Sequence, residues 1–378
     1  MISVASFETP FTCSSVELSP FDERRLAVVT CENFGASGEG QVHILELDAV
    51  ESTQLNEVVS FTNSSGGLSD CSWSEVNQNQ IITASTDGSV SLWDVSGSDD
   101  DPLCRWMDHS MAVVSVDWNI IEKTTFLSAS LDGTIKLWRP DMFDPLTTFS
   151  TNNLPLNNVI WSPHHPEAFA TSLVDGCIRL WDTRQANQTV TIAAHNDEAL
   201  SVDYDKFSEH LIVSAGADRS IRTWDLRFPS APVNILVGHS YIVKRAKCHP
   251  QIPFVIGSVS HDMSVRVWDS KPLPGLTKPE YEANNLPSQN ESGIDRPTKP
   301  SHQHNDHDAG NINYGGRGDN GGQHLGCVSH GDFATGFDFS LFAAERLATC
   351  GWDRKVIVWD INLNYLVDKK KSRSLNSP

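Results

Sequence analysis

Four sets of His, Ser or Thr, and Asp recur along the chain in one fixed order, and each set ends in a Trp. In one set, Ser214 and Asp218 follow His195 by 19 and 23 residues. These side-chain types are the nucleophile, the base and the orienting carboxylate of acyl transfer. The four sets are His109, Ser128, Asp132 and Trp138; His195, Ser214, Asp218 and Trp224; His239, Ser258, Asp262 and Trp268; and His330, Thr349, Asp353 and Trp359.

Repetition argues against a catalytic interpretation of these sets. An enzyme needs one triad, whereas a buried Trp N–H and a buried carboxylate need hydrogen-bond partners wherever they occur. We therefore expect a structural chain from the Trp N–H through the hydroxyl and the His to the Asp. The sequence predicts no enzymatic activity and no cofactor. A hydrolase that uses one of the sets is the least favoured alternative.

The spacing of the sets defines a longer repeat. Each repeat contains short apolar segments rich in strand-favouring residues, with turn residues between them. A period of about 40–45 residues with this content is typical of β-propeller blades. With a degenerate first unit, in which Leu45 takes the Trp position, the sequence predicts an all-β fold of seven blades. The later units end at Trp93, Trp138, Trp181, Trp224, Trp268 and Trp359.

The repeats also predict how the chain is divided. We expect residues 2–7 to supply the outer strand that closes blade seven, with 361–368 as the competing segment. A long stretch after Trp268 is rich in Pro, Gly, Asn and His, so we expect a disordered, flexible insertion between the third and fourth strands of blade six. The regions are blades one to six at 1–270, the insertion at 271–322, the end of blade six and blade seven at 323–368, and a basic tail at 369–378.

The composition limits the classes of partner. A formal net charge of −20 disfavours the phosphate backbone, so we predict no nucleic-acid binding. The eight cysteines are scattered without a CxxC pair, which indicates reduced thiols in an intracellular protein. The N-terminus does not resemble a secretory signal, and no apolar run is long enough for stable membrane insertion. The run from His302 to His307 lies in the insertion without a fixed scaffold, so we predict no metal site.

Several segments are similar to one known family. On them the chain resembles the WD-repeat β-propellers that act as receptors for the type-2 peroxisomal targeting signal, the seventh peroxin family. The similarity covers roughly 11–270 and 328–360 but neither the insertion nor the tail. The matching segments are 21–48, with Asn33, Phe34 and Gly35, then GLSDCSWSE at 67–75, AHNDEALSVDY at 194–204, and FDFS and LATCGWD within 337–353.

The resemblance implies a soluble import receptor that binds a nonapeptide near the N-terminus of cargo enzymes. This signal has a basic residue near its start and forms an amphipathic helix, which calls for an apolar groove with carboxylates at one end. Ala112 stands where the family usually has a Glu, which puts the blade-three part of the site in doubt. The candidate cargo-binding residues, all in turns on one face, are Glu198, Asp197, Asp332, Tyr241, His261, Trp352 and Leu131.

The resemblance also implies partners and a route. The receptor would bind cargo in the cytoplasm together with a co-receptor, the long form of the fifth peroxin or a functional relative. It would then meet docking proteins at the peroxisomal membrane, release cargo in the matrix and return.

A second function rests on one short motif. Trp181-Asp182-Thr183-Arg184 and Trp224-Asp225-Leu226-Arg227 resemble the Trp-Asp-x-Arg box. This box docks substrate-recognition WD-repeat subunits of cullin-4 ubiquitin ligases on their adaptor, but it is frequent in propellers generally. Direct binding of a type-2 signal peptide, or co-purification of the cullin adaptor, separates the two functions.

Overall fold

Short apolar strands and tight turns account for nearly all of the described chain. The structure, a computed structural model, describes residues 1–35, 38–48, 54–97, 100–185, 188–271 and 323–361. In these ranges the strands form seven four-stranded antiparallel sheets, each a blade of the propeller. The predicted seven-bladed fold is therefore confirmed.

The first strand stands apart from the chain order of the blades, because β1 (Ile2–Glu8) precedes blade one. Blade one contains β2 (Thr12–Leu18), β3 (Arg25–Cys31), a short 3-10 turn (Glu32–Gly35), β4 (Gly40–Leu47) and β5 (Leu55–Asn63). Blade two contains β6 (Leu68–Trp73), β7 (Gln80–Ser85), β8 (Val90–Asp94) and β9 (Cys104–Trp106). Blade three contains β10 (Val113–Trp118), β11 (Phe126–Ser130), β12 (Thr134–Trp138) and β13 (Thr147–Ser150).

The remaining blades repeat this arrangement. Blade four contains β14 (Leu156–Trp161), β15 (Ala168–Leu173), β16 (Cys177–Asp182) and β17 (Val190–Ala193). Blade five contains β18 (Ala199–Tyr204), β19 (Leu211–Gly216), β20 (Ser220–Asp225) and β21 (Asn234–Val237). Blade six contains β22 (Val243–Cys248), β23 (Val255–Ser260), β24 (Ser264–Asp269) and β25 (Gln323–Ser329), and blade seven contains β26 (Ala334–Phe339), β27 (Arg346–Gly351) and β28 (Lys355–Asp360).

The ring closes where β1 joins blade seven. β1 pairs antiparallel with β28, from Ile2 opposite Asp360 to Glu8 opposite Lys355, and is the outer strand of that sheet. Phe7 packs against a core that blades seven and one share. The edge of β28 is thereby paired, as a closed propeller requires. Most of the competing segment 361–368 lies outside the described residues.

The antiparallel meander gives the propeller two distinct ends. The turn between the second and third strands of each blade, and the loop to the next blade, lie at one end, which we call the upper face. The other connections lie at the lower face. β24 ends and β25 begins at the lower face. The predicted insertion, from residue 272 to 322, and the tail at 369–378 lie outside the described residues.

The innermost strands are joined by side chains that bind the backbone of a neighbouring blade. β2, β6, β10, β14, β18, β22 and β26 contact one another in turn around the channel. Carboxylates on several of these strands accept hydrogen bonds from backbone N–H groups of a neighbouring blade. These N–H groups have no partner within their own sheet at that edge, and the carboxylates supply one. These bonds run from Leu18 to Asp338, from Trp73 to Glu17, from Trp161 to Asp117 and from Cys248 to Asp203.

Two further features concern membranes and thiols. No helix in the described part of the chain is long and apolar enough to cross a membrane. All eight cysteines are free; Cys327 is exposed, Cys104 and Cys177 are half-buried, and Cys13, Cys31, Cys71, Cys248 and Cys350 are buried.

Candidate functional site

The four repeated sets form continuous hydrogen-bond chains inside their blades. In blade six, Trp268 Nε1 donates to Ser258 Oγ at 2.8 Å, and that oxygen lies 2.8 Å from His239 Nε2. His239 Nδ1 lies 3.0 Å from an Asp262 oxygen. The equivalent bonds are present in blade three from Trp138 to Asp132, in blade five from Trp224 to Asp218, and in blade seven from Trp359 to Asp353.

Protonation and burial give these chains a structural role. Burial lowers the pKa of His239, despite the opposing effect of Asp262, so the neutral ring donates from Nδ1 and accepts from the Ser hydroxyl. The hydroxyl oxygen already accepts the Trp N–H. A nucleophile must also be reachable by its substrate, yet the four hydroxyl-bearing residues are 0% exposed: Ser128, Ser214, Ser258 and Thr349.

Two blades that lack the His use an arginine instead. In blade two Arg105 bonds to Asp87, and in blade four Arg179 Nη2 lies 2.9 Å from Asp175. In both blades the Trp N–H still bonds to a Thr hydroxyl at 2.9 Å. The conserved element of the repeat is thus a paired carboxylate, and the cation or imidazole that pairs with it varies.

Five rings meet on the upper face where blades six, seven and one adjoin. The Phe333 ring stacks on His261, with ring centroids 4.5 Å apart, and lies 5.0 Å from the Trp352 ring. The Tyr241 ring stacks with Phe333 at a centroid distance of 6.4 Å, and the Phe34 ring lies 4.8 Å from Trp352. We call these five residues the upper aromatic cluster. Phe34 and Tyr241 are 61% and 56% exposed, so the cluster offers apolar surface to a ligand.

The cluster adjoins charged side chains that affect its own ionisation. Burial, helped by nearby Lys244, lowers the pKa of His261 to about 4, although Asp332 opposes the shift. His261 is therefore uncharged near neutral pH and behaves as part of the aromatic surface. Burial and Arg245 lower the pKa of Lys244, and the negative charges of Asp70 and Glu198 partly offset this decrease. The charge of Lys244 thus interacts both with His261 of the cluster and with Glu198.

The structure brings together some of the predicted cargo-binding residues and separates others. Tyr241, His261 and Trp352 are in the cluster, and Asp332 is joined to it through Phe333, whose N–H donates to the Asp332 carboxylate at 2.7 Å. The Glu198 side chain is exposed in blade five, and its N–H donates to Asp197 at 2.8 Å. Leu131 is half-buried in blade three, across the channel from blades six and seven.

Four residues of this face, described below, were not among the candidates chosen from the sequence. Phe333 lies beside Asp332 in an exposed loop, a position where an aromatic residue could have been noticed. Lys244 occupies an inner-strand position that is uncharged in the other blades. Phe34 and Asn33 have left-handed backbone angles, with φ of 58° and 48°. This conformation is costly for a residue with a Cβ, and such strain concentrates at functional sites.

The chain is similar to several known proteins. A model described as WD domain, G-beta repeat matches residues 55–94, 95–139 and 324–360, and one described as EIPR1 beta-propeller matches 145–268. The peroxisomal targeting signal 2 receptor of Dictyostelium discoideum is 55% identical over 264 residues, which cover 70% of this chain and 82% of that protein. Peroxisome biogenesis protein 7 of Arabidopsis thaliana is 39% identical over 112 residues, 29% of this chain and 35% of that protein. The Homo sapiens peroxisomal targeting signal 2 receptor is 38% identical over 103 residues, 27% of this chain and 30% of that protein.

The seven sheets and the repeated hydrogen-bond chains define a WD-repeat β-propeller. The chain belongs to the family of peroxisomal targeting signal 2 receptors.

Proposed function

We propose that this protein is an import receptor that binds the type-2 targeting signal of cargo enzymes on its upper face. The observation that carries the proposal is the extensive identity to a receptor of that name, together with an exposed aromatic cluster on one face. A helix with one apolar face needs such a surface, because burial of aromatic and aliphatic side chains supplies most of the binding energy.

The charges beside the cluster fit a basic ligand. Asp332 lies at one edge of the upper aromatic cluster, and Asp197 and Glu198 lie in the adjacent upper loop of blade five. A guanidinium or ammonium group of the signal would bond to one of these carboxylates while the apolar side of the helix covers the rings. In this arrangement Leu131 would contact only a ligand that extends across the channel.

We also propose a route for the receptor and the proteins that it meets. The receptor would collect cargo in the cytoplasm and bind a co-receptor, the long form of the fifth peroxin or a functional relative, that covers the bound signal. Peroxisomal docking proteins would then receive the complex, and the receptor would return after cargo release in the matrix. No catalysis is assigned to it, since the hydroxyls of the His, Ser or Thr, and Asp sets are engaged by Trp.

The cullin-4 alternative gains no support from the relatives reported above. The two arginines on which it depends, Arg184 and Arg227, bond to the Asp of their own motif at 2.6 Å. A pull-down with the cullin adaptor would show whether either arginine docks it. The import function is tested by direct binding of a labelled type-2 signal peptide, with and without co-receptor.

A further inference from the structure

We propose that Lys244 is a specificity-determining residue of the upper face: its ammonium group binds a hydrogen-bond acceptor of the cargo signal and excludes a second basic residue there. Lys244 lies on β22, the innermost strand of blade six. The inference rests on the proposed import function, because it assigns a role to a residue beside the upper aromatic cluster.

The backbone at Lys244 forms a β-bulge that recurs in all seven blades. In blade six Val243 pairs with Ser260 and Arg245 pairs with Val259, so Lys244 is the extra residue between them. The same shift in register is present at the equivalent position of the other six blades. A bulge re-aims a side chain relative to the regular alternation of the strand.

In three other blades the side chain at this position joins its blade to the next one by donating to a backbone carbonyl. These bonds run from Ser69 to Val113 O, from Asn157 to Ala199 O and from Thr335 to Cys13 O, at 2.5, 3.0 and 2.8 Å. Lys244 makes no such bond. Among the residues that the structure describes, its Nζ has neither a hydrogen-bond partner nor an ion-pair partner.

The two other cations of β22 are paired. Arg245 Nη2 lies 3.2 Å from Asp70 Oδ1, and Lys247 Nζ lies 2.7 Å from Asp338 Oδ1. Lys244 is half-buried, and its Nζ retains accessible surface, since it is not one of the fully buried nitrogens that lack a partner in the described chain. Its ammonium group is therefore a donor that a ligand can reach.

The surroundings of this donor place it beside the candidate cargo site. The charge of Lys244 acts on His261 of the upper aromatic cluster, and the charge of Glu198, in the upper loop of blade five, acts on Lys244. Burial and the positive charge of Arg245 lower the pKa of Lys244, as expected for an ammonium group without a close counter-ion. Lys244 thus adjoins both the apolar surface and one of the acids proposed to bind cargo.

The chemistry of the ammonium group determines what the ligand must present to it. A helix that covers the aromatic cluster removes water from Lys244, and a desolvated ammonium group is unfavourable unless an acceptor replaces that water. An ammonium group carries three donors and no acceptor, so its partner is a carboxylate or an amide oxygen. A second basic residue at this point would bring like charges together. The basic residue of the signal must therefore bind at a carboxylate away from Lys244.

A series of signal peptides bound to the full chain tests the proposal. Each residue that follows the basic residue of the labelled type-2 signal peptide is replaced in turn by Glu and by Lys, and anisotropy gives the ratio of the two Kd values. We expect one position, or two positions a helical turn apart, at which the Glu peptide binds about tenfold more tightly than the Lys peptide. Lys244→Met should lose this preference, and Lys244→Arg should retain it. Lys123→Met removes an exposed ammonium group from the lower face and should behave as the parent protein does.

Two outcomes would overturn the proposal, and they are distinguishable. If the ratios of the parent protein and of Lys244→Met agree at every position while the unsubstituted peptide binds both, the role of Lys244 is refuted and the import function stands. If no peptide binds the parent protein saturably, both are refuted. Because the ammonium group has no partner in the free protein, Lys244→Met should not lower Tm, so a lost preference would not reflect misfolding.

Discussion

The phenyl ring of Phe333 lies parallel to the imidazole ring of His261, at an angle of 4° with ring centroids 4.5 Å apart. Phe333 comes from blade seven and His261 from blade six, so the stack joins two blades on the upper face. The imidazole is uncharged near neutral pH because burial lowers its pKa to about 4. The two rings therefore form one apolar surface, which Trp352 extends towards blade one.

The first prediction concerns the exposed edge of this surface. Phe34→Ala removes a ring that lies 4.8 Å from Trp352 and is 61% exposed. We expect the Kd for a type-2 signal peptide to rise by about tenfold, because an aromatic contact with the peptide is lost, with little change in Tm. Fluorescence anisotropy measures the Kd. Phe143→Ala removes a phenylalanine that is also exposed, at 83%, from the lower face and is the matched control. Equal effects of the two substitutions would remove Phe34 from the site.

The second prediction concerns the acids beside the cluster. Glu198→Lys combined with Asp332→Lys replaces two negative charges with positive ones next to Lys244, which should repel a basic signal. We expect loss of signal-bearing cargo from a pull-down while the circular dichroism spectrum is retained. Glu23→Lys with Glu345→Lys makes the same charge change on the lower face and should retain cargo. Undiminished capture by the first pair would refute this assignment.

The fold was predictable because its signal is local and repeated. The offsets that link His239, Ser258, Asp262 and Trp268 occur within one blade, and the same bonds recur in three others. The substitution of Arg105 or Arg179 for the His was not predictable, because different side chains satisfy the same carboxylate.

The candidate site was only partly predictable, for a related reason. Phe34 and Trp352 lie near opposite ends of the chain and meet only because the propeller closes into a ring. No spacing in the sequence records such a contact. The resemblance to a known family identified Tyr241, His261 and Trp352 separately, and their grouping around Phe333 required the structure.

The third prediction concerns stability. Asp262→Ala removes the acceptor of His239 Nδ1–H and of the Ser240 N–H. We expect a loss of about 1–3 kcal/mol in the free energy of unfolding, measured by urea titration, because buried donors are left unpaired. Burial would raise the pKa of Asp262, but bonds from His239 and Ser264 outweigh it and hold the pKa below 3.8. The loss should thus be full above about pH 4 and shrink as the pH falls further.

Its control is Asp141→Ala, which removes an exposed carboxylate paired with Arg139. An exposed pair contributes little, so this variant should remain close to the parent protein. If both substitutions cost the same, the hydrogen-bond chain is not a stabilising element.

The fourth prediction concerns pH. Burial raises the pKa of Asp117 to about 7, and the Trp161 N–H, Lys206 and Lys247 only partly offset this effect, while Asp70 adds to it. Between about pH 4 and pH 7 the folded protein keeps a proton that the unfolded chain releases, so stability falls as the pH rises through this window. Asp117→Asn keeps an acceptor for Trp161 without the charge. The Tm advantage of the variant should grow across the window and then level off. A difference in Tm between variant and parent that does not depend on pH would show that folding does not raise the pKa of Asp117.

The central claim is tested most directly by titrating the full chain with a fluorescent type-2 signal peptide and following anisotropy, with and without co-receptor. We expect saturable binding that unlabelled peptide displaces, tighter when the co-receptor is present, and lost when the basic residue of the signal is replaced by Glu. Absence of saturable binding under both conditions, or undiminished binding of the Glu-substituted peptide, would contradict the account.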